Sequence, residues 1–124
     1  MKSITFEGKK ISFDFTLGFI HDVYTKEFGG KLDDLINLES LQHESPTRVS
    51  EVIRDSILSA HIYWLYCNGE DEQADLLLSK IKGSKMIATK WLLQMKLENA
   101  IAWIAEGLTP SDLDSPKSTQ SKKK

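Results

Sequence analysis

The chain has 124 residues with net charge −2, 40% hydrophobic and 27% charged residues. That is enough for one packed domain, and it argues against wholesale disorder and against a broad electrostatic drive toward nucleic acid or anionic lipid. The one cysteine, Cys67, cannot make an internal disulfide, "MKSITFEGKK" carries no signal-like apolar stretch, and the run "IYWLYC" from Ile62 is too short to span a bilayer, so a cytoplasmic protein is expected.

Residues 3–15 alternate apolar and polar side chains around a glycine, which predicts a two-stranded antiparallel hairpin. With Gly8-Lys9 as the central pair of a type II′ turn, Glu7 faces Lys10, Phe6 faces Ile11, Thr5 faces Ser12 and Ile4 faces Phe13. Moving the turn to Glu7-Gly8 pairs Phe6 with Lys9 and sets Phe13 opposite Lys2. The first register is preferred because it keeps the large apolar side chains, with Phe15, on one buried face. An isolated hairpin is marginal in water, so this one needs helices beneath it.

The period then changes. Thr16 is read as an N-cap, and Leu17, Ile20, Val23, Tyr24 and Phe28 recur at helical spacing over about 17–28 until Gly29-Gly30. A weaker helix at about 33–43, or a loop with apolar anchors, is expected from Leu32, Leu35, Ile36 and Leu38. Ser45-Pro46 starts a helix over about 46–67, which Asn68-Gly69 stops. One stripe on it holds Val49, Val52, Ile53, Ile57, Ala60 and Trp64, and a second holds Leu58, Ile62, Leu65 and Tyr66. A helix apolar on two sides packs on two sides, so this is expected to be the central helix. Helices at about 70–81 and 85–106 follow, the first opening on acidic residues that suit the helix dipole. The last carries Ile87, Trp91, Leu93, Leu97, Ile101 and Ile104, with Gly107 as its stop. The expected fold class is α+β, mainly helical, a hairpin followed by four to five helices. Residues 1–107 form one domain, and residues 108–124, rich in Ser, Pro and Lys, form a disordered tail.

Candidate chemistry is sparse. His21, His43 and His61 have no second ligand at i+3 or i+4, so no metal or cofactor is expected; His61, beside the apolar stripe, should be partly buried and hydrogen-bonded. Cys67, one turn beyond Trp64, reads as an inert buried thiol. Glu70, Asp71, Glu72 and Asp75 lack the ligand spacing of a calcium loop. Trp64, Trp91 and Trp103 have no interleaved basic residues and read as core. Residues 108–124 carry +2 and the rest −4, too little for nucleic-acid binding, and "GFIHDVYTKEFGG" lacks the lysine of a P-loop. The residues offer no enzyme.

The stretch "ITFEGKKISFDFTLGFIHDVYTKEFGG" resembles the opening of the tail assembly chaperones of long-tailed phages and prophages. The matching residues are Phe6, Gly8, Ile11, Phe13, Phe15, Gly18, Phe19, Ile20, Asp22, Val23 and Tyr24. The resemblance implies a small hairpin packed with several helices, no catalytic residues, and binding to the tape measure protein and tail tube protein. It also implies a longer frameshifted product, for which Lys122-Lys123-Lys124, if encoded by an adenine run, would be the slippery site. The hairpin either caps the helical core or presents an edge to which another chain adds a strand. That edge would comprise Thr5, Glu7, Lys9, Lys10, Ser12 and Asp14, its charges guarding against indiscriminate pairing. Self-association is a further expectation, since the two-sided central helix asks for more cover than the chain supplies. The alternative is a small bacterial regulatory or adaptor protein, antitoxin-like, acting by protein–protein contact.

Overall fold

The computed structural model describes residues 2–108. It has an N-terminal antiparallel hairpin, β1 (Lys2–Phe6) and β2 (Lys9–Phe13), followed by helices. The disordered tail expected from residue 108, and the lysines at its end, lie outside the described residues from 109 onward.

The hairpin takes the register that sequence reasoning rejected. Lys2 pairs with Phe13, Ile4 with Ile11 and Phe6 with Lys9, so Glu7-Gly8 forms the turn. Both turn residues have positive φ, 50° and 79°, the signature of a type I′ turn, whose twist matches the strands. The argument from a consistent face could not separate the two registers. They differ by two residues, one full side-chain period, so both keep Ile4, Phe6, Ile11 and Phe13 together. Turn chemistry decides. Lys2 is tolerated opposite Phe13 because its ammonium sits over the Trp103 ring, 5.9 Å from the centroid, and reaches Glu106, 2.7 Å away.

Helix α1 covers residues 17–28, built from Leu17–Phe19, a π-helical turn at Ile20–Tyr24, and Thr25–Phe28. Its entry is held by Asp14, whose Oδ1 accepts from the Thr16 amide and the Thr16 hydroxyl. Thr16 therefore turns its hydroxyl back to Asp14 instead of capping the helix. The exit follows expectation. Gly29 sits in the left-handed region and its amide donates to the Thr25 carbonyl, the αL closure, while the Gly30 amide donates to the Tyr24 carbonyl. The weak helix resolves into α2 (Leu32–Ile36) and α3 (Leu38–Glu44).

Helix α4 (Pro46–Cys67) is the spine. The Ser45 hydroxyl accepts from the Arg48 amide, and Pro46 occupies the first turn. Val52, Ile53, Ile57, Leu58, Ala60 and Ile62 are buried around most of its circumference. It packs against β2, α1 and α3, and against α5 (Asp71–Ile81), α6 (Met86–Met95) and α7 (Leu97–Leu108). Its stop at Asn68-Gly69 is seen, with Gly69 at positive φ and the Glu70 amide bonded back to the Leu65 carbonyl. Cys67 differs from expectation. It lies at the C-terminal end of α4 and is exposed.

The last expected helix is two helices. Lys96, at φ 76°, separates α6 from α7, and the Asn99 side-chain amide occupies the Met95 carbonyl that a continuous helix would give to the Asn99 backbone. The break splits the expected apolar stripe: Trp91 and Ile104 are buried, whereas Leu93 is 77% exposed and Leu97 is exposed too. Gly107 is no stop. It lies inside α7, packed on the Phe15 carbonyl. No described helix is long and apolar enough to cross a membrane.

Candidate interaction edge

A two-residue I′ hairpin fixes which backbone groups face the partner strand. Residues flanking the turn, Phe6 and Lys9, form the first hydrogen-bonded pair, and alternate positions follow. Lys2, Ile4, Phe6, Lys9, Ile11 and Phe13 therefore spend their amides and carbonyls within the ladder. Ser3, Thr5, Lys10, Ser12 and Asp14 turn theirs outward.

The two outward edges have different fates. On β2, the outward Ser12 carbonyl is 2.7 Å from His61 Nδ1, which donates to it from α4. The next outward group, the Asp14 amide, donates to the Ala60 carbonyl at 3.1 Å. Ser12 is 4% exposed. This end of β2 is stitched to the central helix and is closed. On β1, no hydrogen-bond partner among the described residues reaches the outward groups of Ser3 and Thr5, and the Thr5 side chain is exposed.

The expected edge residues thus do not form one surface. Glu7, Lys9 and Lys10 are exposed at the tip, Thr5 lies on the open β1 edge, and Ser12 and Asp14 belong to the seam with α4. Ser3, the remaining outward position of β1, was missed because the Gly8-Lys9 register sets it opposite Asp14 as a hydrogen-bonded pair, with its amide and carbonyl turned into the ladder. The Glu7-Gly8 dipeptide was the signal that could have found it, since a glycine at the second turn position suits type I′.

His61 anchors the seam. Its ring lies parallel to Trp64 at 6.2 Å and edge-on to Trp91 at 5.2 Å and Phe13 at 5.9 Å. Burial pushes its pKa below the ordinary 6.5, against the raising effect of the Ser12 hydrogen bond. Nδ1 carries the proton that Ser12 accepts in the neutral ring, so His61 is a structural donor.

A cleft of about 550 Å³ opens where the hairpin exit meets α7, lined by Lys2, Phe13, Asp14, Phe15, Thr16, Trp103, Glu106 and Gly107. No described histidine or cysteine lines it. Among the described residues, no three His, Cys, Asp or Glu side chains gather where they could hold a metal ion.

No family model matches this chain, and neither a curated protein nor a solved structure does.

Proposed function

We propose that this chain is a non-enzymatic tail assembly chaperone of a long-tailed phage or prophage. It binds the tape measure protein, keeps it soluble in the host cytoplasm and aids assembly of the tail tube. The observation that carries the reading is that eight of the eleven residues of the resemblance have a structural task. Gly8 occupies a positive-φ turn position, and Gly18 lies so close to the Tyr63 hydroxyl that no larger residue fits unchanged. Phe13, Phe15, Phe19, Ile20, Val23 and Tyr24 are all buried in the one core that joins hairpin to helices. These positions build the hairpin-and-helix arrangement that the resemblance implies.

Protein contact is supported by the open β1 edge and by apolar side chains left exposed on the helices, among them Ile36, Leu76, Met86 and Leu93. The test is co-expression with the product of the long gene downstream, followed by pull-down and sizing. Recovery of a soluble client with several copies of this chain supports the reading. A client that stays insoluble, or two proteins that ignore each other, overturns it.

A further inference from the structure

We infer that the open edge of β1 pairs with β1 of a second copy of this chain, joining two hairpins into a four-stranded antiparallel sheet. The inference takes from the proposed function only the reading of the hairpin edge as a contact surface.

The edge is asymmetric. On β2 the outward Ser12 carbonyl and Asp14 amide are occupied by α4, so a strand cannot pair along that side without breaking the seam. Among the described residues, only β1 offers successive outward residues, Ser3 and Thr5, whose amides and carbonyls have no hydrogen-bond partner. A two-fold axis at Ile4 sets Ser3 of one copy opposite Thr5 of the other. Every one of those donors and acceptors is then matched, because the two residues exchange both bonds. Sliding the axis to Thr5 would oppose Ser3 to Glu7, which is held in the left-handed turn and cannot extend the ladder. The register is thus selected by the turn.

The side chains agree. On the inner face Ile4 and Phe6 are only half-buried, although Ile11 and Phe13 continue the same face toward the core. The pairing places Ile4 against Ile4 across the axis and extends this apolar strip. No like charges meet: Lys2 falls opposite Phe6, and its ammonium is already held by Glu106. On the outer face Ser3 meets Thr5, a hydroxyl pair suited to a solvated sheet.

The test is light scattering of the full chain after size exclusion, with three variants. Thr5→Pro removes the outward amide and leaves the β1–β2 ladder intact, since proline is tolerated where the N–H faces away from the partner strand. Lys10→Pro does the same on β2. Ser3→Lys/Thr5→Lys keeps the backbone and places like charges opposite one another at the axis, so it serves should Thr5→Pro not fold. The expected wild-type mass is twice 14.1 kDa. Thr5→Pro and the double lysine variant fall to the single mass with unchanged far-UV circular dichroism, and Lys10→Pro stays double. A wild type of single mass at the highest soluble concentration overturns the pairing, as does a dimer that survives both β1 variants or yields to Lys10→Pro alone. Client solubility is scored separately. A monomer that still solubilises the client overturns the pairing and leaves the chaperone reading standing. A Thr5→Pro-sensitive dimer that ignores the client supports the pairing and counts against the chaperone.

Discussion

Gly107 of α7 lies directly against the backbone carbonyl of Phe15, where the chain leaves the hairpin. A Cβ at Gly107 would overlap that oxygen and the Phe15 carbonyl carbon. The C-terminal helix and the hairpin exit therefore meet backbone to backbone, and the Lys2–Glu106 ion pair and the Lys2–Trp103 contact flank the same junction. The ion pair is exposed and contributes little by itself. The close approach is what fixes where α7 sits.

Gly107→Ala is accordingly expected to destabilise, although alanine is the better helix former by about 1 kcal/mol. The obstructing atoms are backbone and cannot rotate away, so a net loss of about 1–3 kcal/mol is expected. Gly18→Ala should cost less, because its obstacle is the far end of the half-buried Tyr63 side chain, which can swing. Thermal unfolding of both variants checks the order. A Gly107→Ala protein as stable as wild type would mean that α7 docks elsewhere.

His61 makes stability depend on pH. Its folded pKa lies below the ordinary 6.5, so below that pH the unfolded chain takes up protons more readily than the folded one. The stabilising contribution is complete above pH 6.5 and declines as pH falls toward the lowered value. Urea midpoints measured from pH 7 to pH 5 should fall for the wild type. His61→Gln should be less stable at pH 7 but flatter over that range. Equal slopes in the two proteins would assign the dependence to other groups.

Trp91 and Trp64 separate what the sequence makes legible from what it does not. Both sit on apolar stripes at helical spacing, and both read as core. Trp91 is 3% exposed, whereas Trp64 is only half-buried and stacked on His61. Trp91→Ala should therefore cost about 3–5 kcal/mol, the range for a buried large aromatic, and Trp64→Ala clearly less. The Trp91 indole N–H has no acceptor among the described residues. Trp91→Phe loses no hydrogen bond, and its cost should be that of packing alone. Chemical denaturation of the three variants sets the ranking; Trp64→Ala as costly as Trp91→Ala would refute it.

Periodicity carried the helix positions well because burial imposes it. The two-sided stripe of α4, the Ser45-Pro46 start, and the Gly29 and Gly69 stops each have a local chemical cause that the sequence displays. What stayed hidden depends on contacts distant in sequence. The break at Lys96 has neither glycine nor proline to announce it; a side-chain amide at Asn99 takes up the Met95 carbonyl there. The closure of β2 needs His61, far along the chain, to reach the Ser12 carbonyl. Two of the six candidate edge residues, Ser12 and Asp14, therefore became part of a seam only on folding.

The register of the hairpin, by contrast, was legible and can be tested at one residue. Glu7 has φ 50°, a left-handed conformation that costs an ordinary residue roughly 1–2 kcal/mol and that asparagine adopts with less strain. Asparagine followed by glycine is also the preferred pair for a type I′ turn. Glu7→Asn should stabilise the protein by on the order of 0.5–1 kcal/mol, part of that strain, and raise the melting temperature by a few degrees. In the alternative register, with Gly8-Lys9 at the centre of a type II′ turn, residue 7 is ordinary extended strand. Asparagine is a poor strand former there and would lower stability. The sign of the change in melting temperature thus reads the register directly. Because the register sets which residues of β1 face outward, a fall would also remove Ser3 and Thr5 from the open edge.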